Sequence, residues 1–117
     1  TLIRRRQTAS SGRTVETAME YIRQHYGESD LSVEKLCAYL HLSSTYFSTL
    51  FKRETGTSFT AYVTTVRMEA AAEAIRGTEE KTYLIAQRCG YEDPNYFSYV
   101  FKRHFGVTPT KYRSEGK

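Results

Sequence analysis

Apolar residues return every three or four positions along almost the whole chain, and no stretch alternates long enough to suggest a strand. Val15, Ala18, Met19, Ile22 and Tyr26 form the first stripe, with Gly27 as a stop, so an amphipathic helix is predicted from about Thr14 to Tyr26. Ser32 caps a short second helix with Val33, Leu36, Cys37 and Leu40 on its inner face. Tyr39, His41 and Leu42 carry the chain through a tight turn to a new cap at Ser43. From there a third helix turns Phe47, Leu50 and Phe51 inward and ends before Gly56. Two short helices joined by a tight turn make a helix-turn-helix.

After Ser58 the pattern predicts a longer helix to about Arg76, with Phe59, Tyr62, Val63, Val66, Ala70 and Ala74 on one face and Gly77 as its stop. At 1.5 Å per residue it would span about 27 Å. Thr82 to Cys89 then reads as a short helix closed by Gly90, and Asp93-Pro94 as the cap and first residue of the next. Phe97, Val100 and Phe101 fill a second core, Gly106 stops that helix, and Thr108-Pro109 opens a last turn of helix through Tyr112. The predicted fold is all-α, about seven helices in two helix-turn-helix subdomains joined by a long linker helix. The expected boundaries are 1–13 for an interdomain linker tail, 14–57 for the first subdomain, 58–77 for the linker helix and 78–117 for the second subdomain.

The two halves repeat each other. YFSTLFKRETGTSFTAY, Tyr46 to Tyr62, returns as YFSYVFKRHFGVTPTKY, Tyr96 to Tyr112, with nine of seventeen positions identical at an offset of fifty. A period of that size marks a duplicated supersecondary unit. Phe47, Phe51, Phe97 and Phe101, at i and i+4, belong to the cores and read nothing. Lys52-Arg53 and Lys102-Arg103 taken alone are what any solvated helix face carries, yet the pair recurs at the same place in both copies.

In a helix-turn-helix the second helix enters the major groove with its N-terminal half against base edges, while basic residues and helix N-termini hold phosphates. With the phenylalanines inward, the outward stripe of the third helix is Ser44, Thr45, Ser48, Thr49 and Lys52. In the second copy it is Pro94, Asn95, Ser98, Tyr99 and Lys102. Serine and threonine bond several base edges or contact a thymine methyl, Asn95 suits adenine, and Tyr99 reaches a base or phosphate. Neither stripe puts an arginine at a base-reading position, so bidentate guanine readout is not expected; Arg53 and Arg103, beside the lysines, are placed for phosphates. A rod of about 27 Å between two readers approaches the roughly 34 Å between successive major-groove segments. One chain would then read two adjacent half-sites. Because the stripes differ, the duplex site should be asymmetric.

Composition fits without deciding. The chain of 117 residues, with 39% apolar and 26% charged residues, is long enough for one domain or two very small ones. Seventeen Lys and Arg against thirteen Asp and Glu give a net charge of +4, a mild bias toward nucleic acid. No apolar run approaches the roughly 18 residues needed to cross a bilayer, and the first residues carry no leader pattern, so a cytoplasmic location is the expectation. Cys37 and Cys89 fall on apolar helix faces as free thiols, and His25, His41 and His104 make no ligand-spaced cluster with them. No cofactor and no metal are expected. Arg4, Arg5 and Arg6 followed by Thr8 to Gly12 read as a connector, and the whole as a C-terminal module.

The segments LCAYLHLSSTYFSTLFKRETGTSFTAYVTTVRMEAA, Leu36 to Ala71, and IAQRCGYEDPNYFSYVFKRHFGVTPTKYR, Ile85 to Arg113, resemble the AraC/XylS DNA-binding domain. The resemblance covers about Thr14 to Arg113. Its second-repeat pattern is present as Ala86, Gly90-Tyr91, Tyr96-Phe97, Phe101-Lys102, Gly106 and Thr108-Pro109. The likeness is greatest to the output domains of YesN-type response regulators. It implies two helix-turn-helix units on successive major grooves, transcription regulation often by activation through RNA polymerase, and a preceding receiver or effector domain in the parent protein. Family base contacts fall on positions that match Thr45, Ser48 and Thr49 in the first reader and Asn95, Ser98 and Tyr99 in the second. Thr82 departs from an apolar family position and Tyr83-Leu84 from polar ones, which implies either a rotated fifth helix or an apolar contact patch.

Two rivals belong to other classes. A helical protein-interaction module would use the same helices to dock partners, without the steep salt dependence that phosphate neutralisation imposes. An enzyme of the DNA-repair alkyl-transfer kind needs an accessible, activated thiolate, which cysteines on core stripes do not provide.

Overall fold

Most of the short helices begin at a side-chain cap. In the computed structural model, which describes residues 2–115 and their side chains from residue 12, the Ser32 hydroxyl accepts from the Lys35 amide at 3.0 Å and starts α2, Val33–Leu40. Ser43 does the same for the Tyr46 amide at 3.1 Å at the head of α3, Ser44–Thr55. In the second half the Asp93 carboxylate accepts from the Asn95 amide at 2.9 Å and Pro94 opens α6, Pro94–Phe105. Each such cap stabilises its helix by about 1 kcal/mol. Gly56 and Gly106 close α3 and α6 in the left-handed region, at φ 79° and 82°, with their amides bonded back to the Lys52 and Lys102 carbonyls.

Around these lie α1, Leu2–His25, α4, Phe59–Gly77, α5, Thr82–Arg88, and α7, Pro109–Glu115. All seven elements are helices, as the apolar spacing predicts, and no strand occurs among the described residues. The chain divides into two compact units. The first comprises residues up to His25 with Leu31–Val63, the second Tyr26–Asp30 with the chain from Thr64 onward. The first turn of α4 therefore belongs to one unit and the remainder to the other.

In the first unit Val15, Ala18 and Ile22 of α1, Leu36 and Cys37 of α2, Phe47, Leu50 and Phe51 of α3 and Phe59 and Val63 of α4 are buried. In the second unit Met68, Ala71, Ala72 and Ile75 of α4 join Ile85, Ala86, Cys89, Tyr91, Phe97 and Phe101. Each recognition frame thus packs on a preceding helix, and α4 serves the second unit as α1 serves the first. The duplication accordingly reaches further back than a constant offset of fifty reveals. Glu16, Ala18, Glu20, Ile22 and Arg23 return as Glu69, Ala71, Glu73, Ile75 and Arg76 at an offset of 53. The intervening connections differ in length and hide the match.

Two local readings are corrected. The α1 helix begins at Leu2, whereas the pattern starts it near Thr14. Residues 2–13 contain no proline and several strong helix formers, so the backbone continues where the apolar stripe stops. On α4 the single stripe predicted through Val66, Ala70 and Ala74 is buried only at Phe59 and Val63. Further on, a second stripe of Met68, Ala71, Ala72 and Ile75 is buried instead, because this helix serves two cores and no single face describes it.

The two turns also differ. His41 ends α2 at φ 60° and Ser43 caps α3 two residues later; Gly90 stands at φ 93° and Asp93 caps α6 three residues later. Histidine is among the residues that tolerate the left-handed region.

Candidate nucleic-acid interface

Burying Phe47, Leu50 and Phe51 leaves one face of α3 to solvent. Thr45, Ser48, Thr49, Lys52 and Arg53 are all exposed. Ser44 is half-buried beside Cys37, whose thiol points at the Ser43 carbonyl at 3.9 Å. The inner face is a ring cluster: Phe47 and Phe51 lie 5.5 Å apart and both contact Phe59 edge-on.

The second frame repeats this with different outward chemistry. Pro94, Asn95, Tyr99, Lys102 and Arg103 are exposed and Ser98 is half-buried. Phe97 and Phe101, 5.8 Å apart, are buried beneath them. Arg103 donates to the Tyr99 hydroxyl at 3.2 Å, with its guanidinium 5.9 Å from the ring centre. Every residue singled out from the sequence thus lies on a recognition helix, with Ser44 and Ser98 less open than the rest. Each stripe carries polar groups over its first turns and cations in its last turn.

The fifth helix keeps its face. Ile85 and Ala86 of α5 are buried as Leu36 and Cys37 of α2 are, five and four residues before the left-handed residue of each turn. Tyr83 and Leu84 consequently stand exposed, so the departure noted in the sequence produces an apolar patch and not a rotated helix.

The helix-turn-helix domain family model matches residues 36–115, well over half the chain. The chain belongs to the AraC-type helix-turn-helix family. Among solved structures, this AraC-type domain is similar to the C-terminal domain of AraT, a response regulator from Geobacillus stearothermophilus, at 41% identity and a TM-score of 0.86, covering 87% of this chain and 84% of that one. It is likewise similar to the C-terminal domain of the two-component response regulator YesN from Fusobacterium nucleatum, at 39% identity and a TM-score of 0.82, covering 84% and 95%. The DNA-binding domain of AdpA, solved in complex with a target DNA, matches at 25% identity and a TM-score of 0.81 over 86% and 90%. Among curated proteins, the transcriptional activator RhaR of Yersinia pseudotuberculosis is 35% identical over 102 residues, 87% of this chain and 35% of RhaR. The chain spans about a third of the length of the curated relatives it matches.

Within this AraC-type frame several supporting residues escape sequence reading. Arg67 spends its guanidinium on two backbone carbonyls, Tyr26 at 2.9 Å and Glu28 at 2.8 Å, and lies over the Tyr91 ring. Arg113 does likewise with Ile75 and Glu80, both at 2.7 Å. These two arginines hold the second unit together and are not spare cations. Arg23 meets Tyr62 in the first unit and Arg76 meets Tyr112 in the second, a repeated arginine–tyrosine contact between supporting and closing helices. The offset of 53 between the arginines, against fifty between the tyrosines, masks the pairing in sequence.

Both cysteines are free and buried. Burial pushes the Cys37 and Cys89 thiols up from their ordinary range, which suppresses the thiolate that alkyl transfer requires. Among the described residues no helix is long and apolar enough to cross a membrane.

Proposed function

We propose that this chain is a sequence-specific double-stranded DNA-binding domain of a bacterial transcription regulator, serving as the output domain of a response regulator and reading two adjacent major-groove segments with α3 and α6. The observation that carries this reading is the duplication itself: two recognition helices, each with a side-chain cap at its head and a left-handed glycine at its end, hold different side chains outward on matching frames. The likeness to the AraT and YesN output domains supports the response-regulator assignment. The AdpA domain with its target DNA supports the ligand.

In this reading Ser44, Thr45, Ser48 and Thr49 face one half-site, and Pro94, Asn95, Ser98 and Tyr99 the other. Lys52, Arg53 and Lys102 hold phosphates, with Arg103 beside them. The parent protein adds a receiver or effector domain and a contact with RNA polymerase, for which the exposed Tyr83-Leu84 pair on α5 is an available surface.

Selection of sites from random duplex DNA at about 50 and 200 mM salt separates counterion-driven affinity from base readout. Two dissimilar short blocks, centred about one helical turn apart, are the expected result. No enrichment at either salt would favour a protein-interaction module instead.

On a selected site, Ser48→Ala and Asn95→Ala should each change preference within one block by about 1–3 kcal/mol. Lys52→Ala and Lys102→Ala should weaken all duplexes alike and lower the salt slope by about one. Equal, sequence-independent losses from both classes would refute the assignments. Inserting about five base pairs between the blocks should weaken binding tenfold or more, because the second groove then faces the opposite side of the duplex. Undiminished affinity would mean that one reader suffices.

A further inference from the structure

The outward faces of α3 and α6 share a frame but not a chemistry. On α3 the residues flanking Ser48 are threonines and one tyrosine, Tyr46. At α6 two tyrosines of the helix line up with Tyr91 of the preceding turn: Tyr91 to Tyr96 at 6.0 Å between ring centres, then Tyr96 to Tyr99 at 6.3 Å, the last two stacked with 27° between planes. Tyr91 is buried and anchors the row, whereas Tyr96 and Tyr99 are 56% and 57% exposed. The oxygen of Tyr99 accepts from Arg103 one turn further along the helix. That bond engages the hydroxyl and leaves the ring as the group free to meet a ligand. Pro94 adds a further apolar group at the head of the same helix.

Such a surface has one natural counterpart in the major groove. Every base edge there offers polar groups, and thymine alone adds an apolar one, its 5-methyl, beside the O4 acceptor. We propose that the second recognition helix reads thymine methyls through Tyr99, backed by Tyr96, with Arg103 acting as a positioning residue for the Tyr99 ring. This deepens the DNA-binding reading and rests on it. Two aromatic side chains held against each other lose little rotamer freedom on binding, which favours apolar contact over an adaptable hydrogen bond.

Thymine and deoxyuridine differ by that methyl alone, so the test uses a selected duplex with the thymines of each block replaced in turn by deoxyuridine. In one block the replacement should weaken the wild-type domain about four-fold per contacted methyl. The same replacement should leave Tyr99→Ala unaffected, while Tyr99→Phe keeps most of the discrimination. Arg103→Ala should lose discrimination without lowering the salt slope, unlike Lys102→Ala. Deoxyuridine without effect in either block, or equal losses in wild type and Tyr99→Ala, overturns the methyl contact. A salt slope lowered by about one in Arg103→Ala, with discrimination intact, overturns the positioning role and makes Arg103 a phosphate contact. Failure to enrich any site overturns the DNA-binding reading itself.

Discussion

Gly90→Ala is expected to destabilise the second unit by about 3 kcal/mol or more. Two independent costs act at this position. The backbone sits at φ 93°, a region that residues with a Cβ rarely occupy. An added Cβ would also stand 2.6 Å from the Tyr26 carbonyl oxygen and 2.9 Å from the Arg67 guanidinium. Neither neighbour yields easily, because Arg67 is bonded to that same carbonyl and to Glu28. Opposite, Gly27 meets the Arg88 carbonyl with only 2.7 Å for a Cβ, so the Tyr26–Asp30 segment and the end of α5 approach backbone to backbone. Thermal denaturation should show a loss of roughly 10 °C or more. A change of one or two degrees would mean that the segment relaxes freely and does not set the turn before α6.

Phe101→Ala should cost about 3–5 kcal/mol. Phe101 is fully buried, 5.8 Å from Phe97, 4.6 Å from Phe105 and edge-on to Tyr112 at 5.3 Å between ring centres. Removing it empties the space beneath the recognition helix, and half-buried neighbours on α6 and α7 fill it poorly. Phe51, at the matching position, meets Phe47, Phe59 and Tyr62 in the same manner. Urea unfolding of Phe101→Ala and Phe51→Ala therefore should give losses of similar size. A loss below about 1 kcal/mol in either would mean that its core repacks.

How much of this is legible in the chain depends on the length over which a signal persists. The helix-turn-helix frames are legible because caps, phenylalanines and closing glycines fall within seventeen residues at one offset. The outward stripes follow from the inward ones by helical geometry alone. What the pattern misses depends on contacts across the fold. Arg67 and Arg113 look like any basic residue in sequence, and only their bonds to carbonyls 33 to 41 positions away distinguish them. The second stripe of α4 is hidden because alanines at Ala70, Ala71, Ala72 and Ala74 give the helix no clear face. The stacking of Tyr96 on Tyr99 lies between these cases: their spacing of three allows it, but the ring geometry and the bond from Arg103 are visible only in the structure.

The one-residue difference between the turns, His41 to Ser43 against Gly90 to Asp93, sets rules for shuffling the two halves. Whole motifs are not interchangeable, because a transplanted turn would bring its own length and its own demand for glycine. From the cap onward, however, each recognition helix runs twelve residues to a glycine in the same backbone state. Surface side chains are therefore portable where segments are not. If the proposed reading holds, moving the Asn95 and Tyr99 chemistry onto Thr45 and Thr49 would bring the two outward stripes into agreement except at Ser44 against Pro94, with both cores left intact.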